Sequence, residues 1–264
     1  MTRRLPVGAH PVRDPAFREE PFAHRVRSYG IASIVMLAAC LPIAWADQPP
    51  PRLSPAKTAA QANLVDIRSL VPDIAEDIKY AGSDNFVGRP VHGYLAPKCL
   101  LLRPAAEALA RVERDLRAQH YRLKLWDCYR PARAVADFVH WAHDLSDQRT
   151  KPQHYPNLDK SQLLGVYIAS VSGHSRGATV DLTMERCAAD GTHCAPLDMG
   201  TDFDWFGMRA HTDAPGIGAA QLANRHRLRA AMEREGFENY PMEWWHYTLT
   251  PEPTPHTLYD VPVQ

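Results

Sequence analysis

Apolar positions recur at helical spacing in three stretches of the chain. From Arg103 to Gln119, the residues Ala106, Leu109, Ala110, Val112 and Leu116 mark an amphipathic helix. Pro131 stands at a helix start, and Ala134, Val135, Phe138, Val139 and Ala142 carry that helix on. Gly218 to Gly236 is the third, amphipathic in its pattern and ended by Gly236 at a C-terminal cap. Strand patterning lies between them. Tyr121 to Trp126 alternates with period two, Thr179 to Met184 is a β-rich run, and Phe237 to Leu249 reads as a strand pair or a kinked strand. The segments 65–80, 85–94 and 148–164 read as turns, short extended pieces and loops. Helices and strands mix without a regular βαβ rhythm. The expected class is therefore α+β: a single domain with a central antiparallel sheet and flanking helices.

The first 62 residues do not read as domain. Arg25 and Arg27 precede an apolar run from Ile31 to Ala46, which closes on Ala44-Trp45-Ala46 and turns polar at Asp47. A charged flank, a short apolar run and a small-residue exit describe a secretory signal peptide over 1–46, and hence a periplasmic protein. The run is shorter than the roughly 20 residues of a spanning helix. Leu37-Ala38-Ala39-Cys40 also resembles a lipobox, and lipidation of Cys40 is the one route by which a membrane would be a partner. Residues 47–62, with Pro49, Pro50, Pro51 and Pro55, read as a semi-rigid linker, and 63–264 as the folded domain.

Composition narrows the picture by exclusion. Lys plus Arg number 30 and Asp plus Glu number 30, with no basic stripe in the mature part, so nucleic acid is not an expected partner. Beyond Cys40 stand Cys99, Cys128, Cys187 and Cys194, an even set that suits an oxidising compartment. Cys187 and Cys194 flank a short turn and are read as a disulfide. For Cys99 and Cys128, a disulfide and free buried thiols both fit the pattern.

The chemistry concentrates in Ser172-Gly173-His174-Ser175-Arg176-Gly177-Ala178-Thr179-Val180-Asp181 and in Glu243-Trp244-Trp245-His246. His174 sits between glycines that let its ring be aimed. Asp181 enters an apolar strand, where a carboxylate is costly unless paired or bound to a cation. His246 stands among aromatic residues. Two imidazoles and one carboxylate make a zinc ligand set with an open position, giving His174, Asp181 and His246 as metal ligands. Glu243, three residues before His246, is the candidate base toward metal-activated water. In a regular strand, residues three apart face opposite sides, so a bulge or strong twist is expected between Glu243 and His246. Arg130, at a strand-to-helix junction, suits an oxyanion; a structural salt bridge to Asp127 explains it equally from spacing. The remaining histidines, His140 and His143 included, lack a third ligand in sequence context.

These motifs resemble the zinc D-alanyl-D-alanine dipeptidases, part of a wider group with D-Ala-D-Ala carboxypeptidases and the hedgehog signalling domain. The resemblance extends to Lys79-Tyr80-Ala81, Asp84-Asn85-Phe86, Gly88-x-Pro90-Val91-x-Gly93-Tyr94, Trp126-Asp127-x-Tyr129-Arg130-Pro131, Met199-Gly200-x-x-Phe203-Asp204 and Gly236-Phe237-Glu238. It implies one Zn2+ per chain on His174, Asp181 and His246, Glu243 as base, and Arg130 on the tetrahedral intermediate. It further implies that Tyr80, Ser172 and Asp204 line the dipeptide pocket, with Asp204 toward the free ammonium. The implied activity is hydrolysis of D-Ala-D-Ala or a closely similar small D,D-dipeptide in cell-wall metabolism. The alternatives are a D,D- or L,D-carboxypeptidase acting on peptidoglycan stems, and a zinc-stabilised binding module without catalysis.

Overall fold

The computed structural model describes residues 50–264. The signal peptide over 1–46 and the lipobox at Cys40 lie outside the described residues. In chain order the strands are β1 (Arg52–Leu53), β2 (Leu64–Asp66), β3 (Ala75–Glu76), β4 (Leu100–Leu102), β5 (Tyr121–Asp127), β6 (Thr179–Arg186), β7 (Ala195–Pro196), β8 (Phe237–Asn239), β9 (His246–Leu249) and β10 (Thr257–Leu258). The helices are α1 (Arg103–Arg117), α2 (Ala132–His143), α3 (Lys151–His154) and α4 (Ala219–Glu233). Among the described residues, no helix is long and apolar enough to cross a membrane.

The predicted helix from Arg103 forms because its apolar stripe has a sheet to lie on. Ala105, Ala106, Ala108, Leu109, Val112 and Leu116 are buried, and α1 packs on β4 and β5. Burial of Leu109, Val112 and Leu116 contributes roughly 1.5–3 kcal/mol each. One polar residue joins that face: buried Glu113 accepts Leu123 N–H at 2.6 Å and Arg117 Nε–H at 2.7 Å, which ties helix to strand. Pro104 falls in the first turn, where its missing N–H breaks no helical bond. Pro131 likewise caps α2, whose Phe138 packs against Phe86 and Tyr80 at centroid distances of 4.7 and 4.9 Å.

The central sheet runs β3-β5-β6-β9-β8, with β7 paired to the far end of β6. Its pairings are antiparallel except at one edge, where β3 runs parallel to β5. The middle strand β6 is buried from Thr179 through Met184, so both of its faces are covered. Phe237 to Leu249 resolves into the strand pair β8 and β9, separated by turns over 240–245.

Two expectations are modified. The stretch read as a linker is held on the domain from Arg52 onward. There β1 pairs in parallel with β10, Arg52 N–H bonds His256 O at 2.8 Å, and Ser54 N–H bonds Leu258 O at 2.7 Å. The third helix forms as α4, but its inner face is not a clean apolar stripe. Leu228, Ala231 and Met232 share it with Arg225, which is fully buried. Among the described residues Arg225 has no carboxylate partner; it donates to the carbonyls of Met199 (2.6 Å), His211 (2.6 Å) and Arg209 (3.0 Å). A buried cation that spends its donors on a loop backbone holds that loop, and this loop carries Asp204.

Candidate active site

The register of three neighbouring strands places the key side chains in one row. Asp181 on β6 pairs with His246 on β9 and, on its other side, with Asp127 on β5. The β5–β6 register shifts between Leu125 and Asp127, and this irregularity sets Asp127 opposite Asp181.

His174 arrives from a 3-10 turn, Gly173–Arg176, with Ser172 as its cap: Ser172 Oγ accepts His174 N–H at 3.3 Å. The turn ends at Gly177 with φ +78°. A Cβ there would meet Leu64 Cδ2 at 3.0 Å and Leu102 Cγ at 3.1 Å, so both backbone and space demand glycine. His174 Nδ1 lies 2.7 Å from the Cys128 carbonyl, which can only accept. The proton is therefore on Nδ1, and the lone pair of Nε2 faces the cavity. Arg130 N–H closes a second tie, to His174 O at 3.3 Å.

Three donor atoms converge. His174 Nε2 is 3.2 Å from Asp181 Oδ2 and 3.2 Å from His246 Nδ1, while His246 Nδ1 is 3.0 Å from Asp181 Oδ1. Asp181 Oδ1 is buried, and among the described residues no group donates a well-formed hydrogen bond to it. A tetrahedral ion with bonds of about 2.0–2.1 Å needs ligand atoms about 3.3 Å apart. Two imidazoles and a carboxylate with an unsatisfied oxygen, at that spacing, fit a divalent cation. Burial pushes the Asp181 carboxyl up, but His174 and His246 outweigh it and hold it well below the usual carboxylate range. Burial lowers the His174 imidazole, which keeps it in the neutral form a metal requires.

Glu243 and His246 reach the same point by turns rather than by a bulged strand. Glu243 N–H bonds Tyr240 O at 3.0 Å and His246 N–H bonds Glu243 O at 3.2 Å. The Asn239 amide clamps the turn by donating to the carbonyls of Glu243 and His246, each at 3.1 Å. Glu243 Oε2 then lies 3.5 Å from His246 Nδ1. Burial, helped by the Asp181 charge, raises the Glu243 carboxyl to about 7.

Arg130 makes the expected ion pair with Asp127 and lies on the cavity wall. Its Nε donates to Asp127 Oδ2 at 2.9 Å, its Nη2 lies 3.4 Å from Asp181 Oδ2, and its guanidinium stands 5.1 Å from the Tyr80 ring and 5.0 Å from Phe138. Opposite, the Tyr80 hydroxyl donates to Asp204 Oδ2 at 2.8 Å. Asp204 has φ +55°, and His154 Nδ1 meets its carbonyl at 3.1 Å. Burial, with Asp181 nearby, pushes the Asp204 carboxyl well above its ordinary range.

All eight of Tyr80, Arg130, Ser172, His174, Asp181, Asp204, Glu243 and His246 line one cavity of about 300 Å³. Phe86, Phe138, Val166, Ile168 and Phe206 supply its apolar wall. Cys187 and Cys194 are joined by a disulfide, and so are Cys99 and Cys128, which closes the choice left open for that pair. His140 and His143 are exposed on α2 and take no part. Sequence reasoning missed the supporting groups. Asp127 was read only as a salt-bridge partner, and its place in the motif before Arg130 was the available signal. The Cys128 carbonyl, Asn239 and His154 carry no local signal, because their roles depend on distant partners.

The family profile described as D-ala-D-ala dipeptidase matches residues 60–264. A D-alanyl-D-alanine dipeptidase of Enterococcus faecium is 42% identical over 196 residues, 74% of this chain and 95% of that protein. One from Streptomyces coelicolor is 43% identical, covering 75% and 96%, and one from Escherichia coli is 33% identical, covering 70% and 84%. A crystal structure of the vancomycin resistance D,D-pentapeptidase VanY with Zn(II) aligns with 59% of this chain and 76% of that one. Its identity is 16% and its TM-score 0.35, too distant to bear on the chemistry here. With the fold and cavity described above, these matches establish that the chain belongs to the D-Ala-D-Ala dipeptidase family of hydrolases.

Proposed function

We propose that the protein is a zinc-dependent dipeptidase that splits D-Ala-D-Ala, or a closely similar small D,D-dipeptide, into free amino acids. The observation that carries this reading is the shared cavity. A cation-fitting triad and a half-buried base stand beside an acid, Asp204, that has no salt-bridge partner among the described residues. His174 through Nε2, Asp181, and His246 through Nδ1 would hold the ion. When bound, Zn2+ supplies Lewis acidity, acidifying water and polarising the scissile carbonyl.

The chain's own groups do the rest. Glu243, raised to about 7 by burial, is poised to accept a proton from the attacking water near neutrality and return it to the leaving amine. Arg130 is held charged: burial opposes this, but the neighbouring Asp127 and Asp181 carboxylates favour the cation. Its guanidinium supplies donors to the oxyanion. Asp204 answers the α-ammonium of the dipeptide. An acid kept from ionising by burial gains most from an incoming cation, and the Tyr80 hydroxyl fixes its orientation. Ser172, on the cavity wall, offers its hydroxyl to the other end of the ligand.

Export to the periplasm is part of the proposal. It is supported by the leader pattern over 1–46 and by two disulfides, which persist in oxidising compartments. The test compares hydrolysis of free D-Ala-D-Ala with its N-acetylated form, with metal content measured on the same sample. The reading expects one zinc per chain and turnover confined to the free dipeptide. Efficient cleavage of the acetylated peptide would make the enzyme a carboxypeptidase, and no cleavage by zinc-loaded protein would make it a binding module.

A further inference from the structure

We propose that Tyr94 is a positioning residue for Arg130, acting through Asp127; the proposal rests on the dipeptidase reading of the cavity. Asp127 has no exposed surface, and each of its carboxylate oxygens has one engagement of hydrogen-bond length. Oδ1 accepts the Tyr94 hydroxyl at 2.5 Å, and Oδ2 accepts Arg130 Nε at 2.9 Å. The torsion that turns a carboxylate is soft and two-fold. Held at one oxygen, the group can swing; held at both, its plane is set. The other contact of Arg130 with a carboxylate, 3.4 Å to Asp181, is long, so Asp127 is the main anchor of the guanidinium.

Tyr94 is itself firmly placed. Its ring is buried and stands 5.7 Å from the Tyr80 ring, and its backbone bridges to Val263. The preceding Gly93 has φ +104°, and a Cβ there would meet Arg133 Cγ at 3.0 Å and Pro131 Cγ at 3.2 Å. The loop can therefore cross close over the start of α2 and deliver the phenol to Asp127. Tyr94 lies behind the cavity rather than on its lining, which places it to act through the groups it holds.

The experiment is a double-mutant cycle on the zinc-loaded enzyme with D-Ala-D-Ala. Tyr94→Phe removes one hydroxyl and keeps the ring. In the wild-type background it is expected to lower kcat about tenfold, with KM changed less than about twofold and zinc content unchanged. In an Arg130→Ala background the same exchange is expected to change kcat less than about twofold, because the group it positions is gone. Equal losses in both backgrounds, or no loss in either, would overturn the proposal. A second arm needs neither metal nor turnover: nitrogen-15 NMR of the Arg130 Nε–H in the metal-free protein. Its solvent exchange should speed up about tenfold or more in Tyr94→Phe, and an unchanged rate would count against the proposal. If the wild-type protein failed to cleave D-Ala-D-Ala, the dipeptidase reading would fall, while the NMR arm would still decide on Tyr94.

Discussion

The Cys99–Cys128 disulfide should contribute more to stability than Cys187–Cys194, and it alone should be felt at the metal site. The two bridges span 29 and 7 residues. In the chain-entropy account, closing those loops removes about 12 and about 8 cal/mol/K from the unfolded ensemble, or about 3.6 and about 2.4 kcal/mol at 25 °C. For a domain of about 200 residues, the larger figure corresponds to a fall in Tm of about 10 °C. Position adds a second difference. Cys99 and Cys128 are buried, and Cys128 supplies the carbonyl that accepts His174 Nδ1. The Cys187–Cys194 bridge instead closes the exposed connection between β6 and β7. Thermal and urea unfolding of Cys99→Ser/Cys128→Ser and Cys187→Ser/Cys194→Ser should show the first pair as the costlier by about 1 kcal/mol or more. Zinc affinity, measured against a competing chelator, should fall about tenfold or more in the first variant and stay unchanged in the second. Equal losses of stability together with equal zinc affinities would refute the reasoning, since both the loop-length and the carbonyl arguments would then have failed.

Glu243→Gln should retain zinc while kcat drops about 10³-fold, a separation read by metal analysis and steady-state kinetics on one sample. Asp204→Asn should lower kcat/KM for free D-Ala-D-Ala about 100-fold while leaving any residual rate on N-acetylated peptide unchanged, which narrows the preference for a free amine. The Arg89–Asp137 pair gives a pH signature. Arg89 holds the Asp137 carboxyl below its ordinary value through bonds of 2.8 Å to each oxygen, and His92 N–H adds a third at 2.9 Å. A depressed folded pKa adds stability above the unfolded value of about 3.9, which is lost as pH falls through the folded value. Asp137→Asn should therefore destabilise the metal-free protein at pH 7, and the difference should shrink below about pH 4; a gap independent of pH would exclude the linkage.

What the chain order alone carried was local. Apolar spacing located α1, α2 and β5, because each buries one regular face and period follows from geometry, while a continuous β-rich run located β6, which is covered on both faces. Residue type marked His174, Asp181, Glu243 and His246, because imidazoles and carboxylates in apolar or glycine-flanked settings are costly without a task. The turn that brings Glu243 to His246 was not legible. It depends on Asn239 and on the β8–β9 pairing, and neither is visible within four residues of sequence. Arg225 escaped notice for a related reason: a cation on the buried face of a helix makes sense only once the loop carbonyls it holds are seen. The same is true of Tyr94 and the Cys128 carbonyl. Their bonds join residues 33 and 46 positions apart, and distance along the chain says nothing about which groups meet. The sequence thus named the atoms able to bind an ion and move a proton. Only the three-strand register, with its shift beside Trp126, decided that Asp127, Asp181 and His246 stand in one row, with Asp181 and His246 on the cavity and Asp127 behind it. Ligand identity is a property of single side chains, whereas coordination requires several of them within a few ångströms, and that is set by long-range pairing.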